Sequence, residues 1–317
     1  STKNDLARVD YDGTVSSLLV EPQRTNLIPY SSDFSQWSSS GGMAVTLNNS
    51  TSPSGDVNAT LLVTSNANDV IYTNVSSTIA STFSVYVKWK VGSGNIDLSS
   101  DGGSSYTSLP VTEGWTRISI SPIAIANQVA LRIPTSGSEL WVWGAQLEEG
   151  SYPSSYIPTD GSTVTRVQDQ YEKTGISNKI NSEEGVLFLE VAALSDEAVN
   201  RQISISDNST NNVVAFSYSG ATNNINATIK ISGVVNRSFD YVLSNVTQDS
   251  KIAIRYSNTE FSFWVDGTET NVNTLASSFS EGTLNRLALD SGAGSQNFFG
   301  KVKQLQVFKT ALTDDEL

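Results

Sequence analysis

An all-β chain, folded as two β-sandwiches in tandem, is the fold class this sequence predicts. Three observations predict it. Short stretches in which apolar and polar residues alternate recur from Leu18 to Phe308, the period-two signature of half-buried strands. Gly, Asn, Ser and Asp separate those stretches, and these are turn-forming residues. Ser, Thr, Asn and Val are abundant while Lys and Glu are scarce, a composition that suits strands. A length of 317 residues leaves room for about two domains with real cores.

Residues 1–17 are polar and weakly patterned, and read as an N-terminal arm. The first sandwich is expected over 18–158. Its clearest strand runs from Phe83 to Val91, with Phe83, Val85, Val87, Trp89 and Val91 on one face and Tyr86, Lys88 and Lys90 on the other. Trp89 therefore reads as core. Thr116, Ile118 and Ile120 give one face of the next strand, with Trp115, Arg117 and Ser119 opposite. Val129, Leu131 and Ile133 give a third, with Arg132 opposite. In the stretch from Trp141 to Leu147, Trp141 and Trp143 share a parity with Ala145 and Leu147, so strict alternation places both indoles in the core. Pro158, Asp160-Gly161 and many Ser and Thr mark residues 159–182 as a linker.

The second sandwich is expected over 183–317. Its strands are announced by Val186/Phe188, Ile203/Ile205, Val214/Phe216/Tyr218, Ile225/Ala227/Ile229/Ile231, Ile252/Ile254/Tyr256 and Phe261/Phe263/Val265. Asp266-Gly267 predicts a tight hairpin turn. Thr313 followed by Glu316 predicts a capping box. A start at Ser1 without Met, and a stop at Leu317 straight after Asp314-Asp315-Glu316, read as a piece of a longer protein.

The chain holds no Cys and no His and carries a formal charge of −13. Disulfides, thiolate or histidine zinc sites, and Ser-His-Asp triads are thereby excluded. The acidic charge argues against nucleic acid as a partner, which calls for a basic footprint. Membrane insertion is not expected either, since no apolar run approaches roughly 20 residues.

Two segments carry a family resemblance. Leu18-Leu19-Val20-Glu21-Pro22-Gln23-Arg24-Thr25-Asn26-Leu27, with Tyr30-Ser31 and Trp37, resembles a stretch of bacteriophage structural and tail-fibre proteins. So does Trp143-Gly144-Ala145-Gln146-Leu147-Glu148-Glu149-Gly150-Ser151-Tyr152 with Ser155-Tyr156-Ile157-Pro158-Thr159. The block between them is similar to the family 4/9 carbohydrate-binding modules, which are galactose-binding-like jelly rolls. Lys251 to Tyr256, Phe261 to Gly267, and Phe299 to Glu316 resemble a concanavalin A-like, laminin-G-type lectin or glucanase domain. The resemblance implies a galactose-binding-like jelly roll followed by a concanavalin A-like one, displayed on a virion surface in an extracellular setting. It implies host-surface glycan and other virion proteins as partners, and a homo-oligomer, with a trimer expected from fibre analogy. A purely structural decoration or assembly module of capsid or tail is the alternative, and a polysaccharide-degrading enzyme a further one.

Sugar recognition combines an aromatic ring face with amide, hydroxyl or charged side chains that meet the hydroxyls. The glycan-binding candidates are Tyr86, Lys88, Trp115, Arg117 and Arg132 on the off-core faces of the first sandwich, and Trp264 in the second. Trp115 would equally be covered by a loop, and Trp264 would equally serve packing, on a side where Lys230, Arg255 and Arg286 also point off their core faces. No cofactor is expected. For a structural calcium, Asp207, Asn208, Asn211, Asn212 and Asp290 are the available oxygen ligands, but loose Asp and Asn also stabilise turns. The carboxylate pairs Glu148-Glu149 and Glu183-Glu184 are adjacent, so on a strand they point to opposite faces and cannot flank one glycosidic bond. The chain is read as non-catalytic.

Overall fold

The computed structural model describes residues 7–12, 15–123 and 126–317. Its helical structure, among the described residues, is limited to 3-10 turns at Phe34–Gln36 and Asp314–Glu316. The chain separates into two compact units, Gln23–Val167 and Ser1–Pro22 with Gln168–Leu317.

The unit Gln23–Val167 is a sandwich of two five-stranded antiparallel sheets. One sheet runs in the order Thr107–Val111, Gly94–Ser99, Ala126–Ile133, Asp69–Ser77, Ser38–Ser40. The other runs Thr116–Ile123, Ser81–Val91, Glu139–Glu149, Val57–Val63, Ala44–Thr51. Phe83, Val85, Val87 and Trp89 face inward against Ile71, Ile96, Leu98, Val129 and Leu131, so the predicted alternation holds from Phe83 to Trp89, while Val91, expected on the same face, lies past a register shift and is exposed.

The Glu139–Glu149 strand departs from strict alternation. Trp143 pairs with Tyr86, but the next matched pair is Gln146 with Ser84, so one extra residue is inserted. Gly144 takes it up in the left-handed region at φ +63°. A single inserted residue moves every later side chain to the other face. Leu140 and Val142 are core before the bulge, Ala145 and Leu147 after it. Trp141 and Trp143 consequently point away from the core, which corrects the expectation that they share a face with Ala145 and Leu147.

The two segments that carry the phage-protein resemblance interlock. Asn26 Nδ2 donates to the carbonyls of Ala145 at 3.1 Å and Ile157 at 2.9 Å. Its Oδ1 accepts from the N–H groups of Ile28 at 3.1 Å and Leu147 at 3.2 Å. Thr159 Oγ1 donates to the Ile28 carbonyl at 2.6 Å, and the Tyr156 hydroxyl shares hydrogen bonds with Ser31 and Ser32 at 2.5 and 2.9 Å. One buried amide thus satisfies four backbone groups that no ladder reaches.

The other unit is also a sandwich. Its seven-stranded sheet runs Arg8–Asp12, Val15–Val20, Gly300–Phe308, Gly185–Ala193, Ser250–Tyr256, Glu260–Val265, Thr268–Thr274. Its six-stranded sheet runs Glu172–Lys173, Arg286–Ala288, Arg201–Ser206, Val213–Tyr218, Asn224–Ile231, Val234–Val242. Leu187, Leu189, Ile252, Ile254, Phe261 and Phe263 pack against Ile203, Ile205, Val214, Phe216, Ile225 and Ile229. Asp266 and Gly267, at φ +49° and +77°, make the predicted two-residue hairpin turn. Thr313 donates its N–H to Glu316 Oε2 at 2.8 Å at the start of the closing 3-10 turn.

Where the sequence reading has an arm at 1–17, strands Arg8–Asp12 and Val15–Val20 form a hairpin, and Leu18, Leu19 and Val20 pair with Val302, Lys301 and Gly300. Val20 is fully buried in the core of that sandwich. Arg8 holds the corner through Glu21, at 3.0 Å, and through Asp169. A partner almost three hundred residues away leaves no local pattern to read. The expected linker 159–182 is divided likewise: Val164–Arg166 pairs with Arg24–Asn26, and Glu172–Lys173 with Leu287–Ala288.

Candidate glycan-binding surfaces

Cross-strand register builds one face of the Gln23–Val167 sandwich in rows. Arg117 lies opposite Tyr86, and Tyr86 opposite Trp143. In the next row Lys88 lies opposite Trp141, and Trp141 opposite Leu61. Trp115 immediately precedes the Thr116–Ile123 strand, and continuing the register sets it beside Lys88. Four of the six candidates therefore share one face.

The first row is braced from above. The Arg117 guanidinium lies 5.3 Å from the Tyr86 ring centroid and donates to Ser154 O at 2.5 Å and Ser84 Oγ at 2.9 Å. The Trp143 ring packs at a tilt 5.4 Å from Tyr86 and 4.4 Å from Tyr156, centroid to centroid. Tyr86 and Arg117 thus anchor the segment around Ser154 and Tyr156.

The second row is open. Trp141, Lys88 and Trp115 are each half-buried. Lys88 Nζ sits 5.3 Å from the Trp141 ring and Lys90 Nζ 6.0 Å from it. Lys90 pairs with Glu139 at 2.7 Å, whereas Lys88 has no ion pair among the described residues. Both indoles are tethered: Trp141 Nε1 donates to Asn49 Oδ1 and Trp115 Nε1 to Thr51 O, each at 3.0 Å. Trp115 and Thr51 belong to opposite edges of the sheet order. Four strand spacings of about 4.8 Å would separate them by roughly 19 Å in a flat sheet. The contact therefore brings the bulged end of the Ala44–Thr51 strand over this face.

The two remaining candidates lie elsewhere. Arg132 is on the opposite sheet, where it donates to Asp97 Oδ2 from Nε at 2.9 Å and lies 3.8 Å over the Tyr106 ring. Trp264 is only 6% exposed, packed with Val186, Ala253, Phe188 and Leu317, its Nε1 donating to Ser262 Oγ at 3.1 Å. Arg255 covers it at 5.7 Å and is itself held by Glu260 at 2.8 Å and Asp314 at 2.6 Å. Trp264 is packed in this cluster and also borders a cavity of about 220 Å³ with Lys251 and Asp266.

The sequence reading missed a second surface. A groove of about 400 Å³ lies on the outer face of the six-stranded sheet. Val213, Ala215 and Ser217 form its floor, and Gln202, Asn226, Thr228, Lys230, Asp240 and Gln296 its walls. Asn226 Nδ2 donates to Ser238 Oγ at 2.8 Å and Asp240 Oδ1 at 3.1 Å, and Thr228 Oγ1 donates to Asn226 Oδ1 at 2.5 Å. These side chains are set in fixed orientations with donors and acceptors mixed. The signal was present: Val214, Phe216 and Tyr218 fill the core, and the alternate positions are all small.

The oxygen-rich turns have internal partners. Asp207 accepts from Ser209 N at 2.9 Å, Ser209 Oγ at 2.6 Å and Asn212 Nδ2 at 2.8 Å. Burial disfavours its charge, but these hydrogen bonds outweigh burial and hold its pKa below the usual carboxylate range. Asp290 is engaged by Arg286 at 2.7 and 2.5 Å. Among the described residues no three carboxylates converge on a point. Glu148 is fully buried, accepting from Ser154 N at 2.9 Å and Ser154 Oγ at 2.5 Å, while Glu149 is exposed. The adjacent pair is thus split between faces.

Residues 186–317 match the sequence model of the Concanavalin A-like lectin/glucanases superfamily. The match falls within the unit that carries the groove. No curated protein matches the chain. Among solved structures, the Ruminococcus gnavus IT-sialidase CBM40 bound to α2,3 sialyllactose is 14% identical with a TM-score of 0.38, covering 47% of this chain and 95% of its own. Domains LG4-5 of the mouse laminin alpha1 chain are 10% identical with a TM-score of 0.31, covering 78% of this chain and 89% of theirs. Sheep galectin-11 in complex with glycerol is 7% identical with a TM-score of 0.30, covering 45% of this chain and all of its own.

Proposed function

We propose that this chain is a non-catalytic glycan-binding protein that attaches a bacteriophage particle to host-surface or mucus glycans, as part of a tail fibre or head appendage. The observation that carries the binding reading is the row of Trp115, Lys88 and Trp141 on one sheet face. It presents two tethered, half-buried indoles beside an ammonium with no carboxylate partner among the described residues. Indole faces meet the C–H face of a pyranose, and fixed rings lose little entropy on binding. The polar groove in the other unit is a second surface of the same reading. The virion setting rests on the resemblance of the segments around Asn26 and Gln146. Other virion proteins, oligomerisation (a trimer by fibre analogy) and exposure at the virion surface follow from that setting. Single sites of this kind bind weakly, and repetition on a fibre raises avidity.

A glycan array with the wild-type chain, Trp115→Ala and Trp141→Ala tests this reading. Binding by wild type that both variants lose supports it. No binding across a broad panel at millimolar sugar would favour the structural decoration module instead. Release of reducing ends from host capsule would overturn the non-catalytic assignment.

A further inference from the structure

We propose that the Lys88–Trp141 row selects acidic glycans, with the ligand's carboxylate or sulfate placed at Lys88 and a sugar ring against Trp141. The inference rests on reading that face as the glycan site, and adds the charge class of the ligand.

The argument begins with scarcity. The chain carries 32 acidic residues against 19 Lys and Arg. Several cations elsewhere are drawn into ion pairs, Lys301 with Asp10, Arg132 with Asp97, Arg255 with Glu260, Arg286 with Glu172 and Asp290, whereas Arg201, Arg237 and Lys309 meet backbone carbonyls. The rows of this one face invert the balance. Arg117, Lys88 and Lys90 stand there with two carboxylates of the Glu139–Glu149 strand: Glu139 is taken by Lys90, and Glu148 is fully buried under Ser154.

Hydrogen-bonding capacity points the same way. An ammonium donates and never accepts. The two indole N–H groups are engaged by Asn49 Oδ1 and Thr51 O, which leaves the indoles no donor for a ligand. The Lys88 ammonium is the cationic donor of this row without an ion pair among the described residues, so a ligand that brings a negative acceptor complements it. A carboxylate or sulfate concentrates acceptors and charge on one group, and charge-assisted hydrogen bonds are about twice as strong as neutral ones. The cation–π contact steadies Lys88 beside the ring that a sugar would cover. The groove of the other unit differs, because Asn226, Asp240 and Thr228 offer acceptors as well as donors.

Two probe pairs isolate charge on a constant backbone: polygalacturonate against its methyl ester, and dextran sulfate against dextran. Binding of the full chain is measured by calorimetry at low salt and again at about 0.5 M NaCl, where the Debye length shrinks to a few ångströms. The acidic member of at least one pair is expected to bind about tenfold tighter, the size of one charge-assisted hydrogen bond at an accessible site. High salt should erode the preference. Lys88→Gln should remove the preference, Lys88→Arg should keep it, and Trp141→Ala should abolish binding of both members of the pair. Equal binding within both pairs, or a preference that survives Lys88→Gln, overturns the charge assignment and leaves the glycan reading standing. A preference lost in Lys230→Gln instead moves acid recognition to the groove and overturns the proposal. Failure of wild type on all four polymers and on the array removes the reading beneath it as well.

Discussion

Trp141, on the middle strand of its sheet, donates its indole N–H to Asn49 Oδ1 at 3.0 Å on the edge strand Ala44–Thr51. Asn49 lies where that strand bulges: Thr46 pairs with Leu61, but the next matched residue is Ser50, opposite Ala59. Asn48 occupies the left-handed region at φ +53°. The bulge swings Asn49 over the face, and the bond fixes the ring. Trp141→Phe keeps an aromatic body and deletes the donor. We expect it to cost about 1 kcal/mol in urea unfolding, the net worth of one hydrogen bond. It should weaken glycan binding less than Trp141→Ala.

The insertion at Gly144 supports a second prediction. A Cβ there would lie 3.3 Å from Tyr86 Cδ2 and 3.4 Å from the Tyr156 ring, at a positive φ. Gly144→Ala should cost about 1–2 kcal/mol from the left-handed backbone alone. Gly144→Val should cost more, because a branched Cβ meets both rings. Guanidinium unfolding followed by tryptophan fluorescence measures both. A neutral Gly144→Val would show that the bulge relaxes freely.

Asn26 is the strongest single stability prediction. Asn26→Ala strands the carbonyls of Ala145 and Ile157 and the N–H groups of Ile28 and Leu147. Unsatisfied buried groups cost about 1–3 kcal/mol each, so a loss of about 3 kcal/mol or more is expected. Asn26→Asp keeps the acceptor but sets a carboxylate against two carbonyls, and should be at least as damaging. Thermal unfolding of the variants reads the effect directly.

The Arg286–Asp290 pair gives a pH prediction. Burial by itself disfavours the Asp290 carboxylate, but hydrogen bonds from Arg286 and the Gly292 N–H, with the guanidinium charge, outweigh it and depress its pKa. A group depressed on folding adds stability above its unfolded pKa, about 3.9, and loses it as pH falls through the lower folded value. Stability should therefore decline below about pH 4. Asp290→Asn should be less stable at neutral pH and show a shallower acid decline. Urea midpoints at pH 7, 4 and 3 check the sign.

Much of the fold was legible in particular residues. Phe83, Val85, Val87 and Trp89 announced a core face by alternation, and that face is inward. Asp266-Gly267 announced a hairpin because only such a pair suits two successive positive φ values. The segments around Asn26 and Gln146 stood out as distinctive, and the structure shows them as one interlocked element. Of the glycan candidates, Lys88 and Trp115 lie in the open row, Tyr86 and Arg117 under the Ser154–Tyr156 segment, Arg132 on the other sheet and Trp264 in packing. Trp141, which belongs to the open row, was assigned to the core.

Local periodicity in the amino-acid sequence determined which stretches are strands, how they alternate and that two sandwiches result. The lack of His and Cys determined which chemistries are closed to the chain. Neither could decide which off-core residues become neighbours. Strand order and register set that, and both depend on pairings far apart in the chain, as between Leu18 and Val302. Phase is equally non-local. One residue taken up at Gly144 brings Ala145 and Leu147 to the core face while Trp141 and Trp143 before it stay outward, because side chains on a strand repeat every two residues and an insertion shifts all that follow.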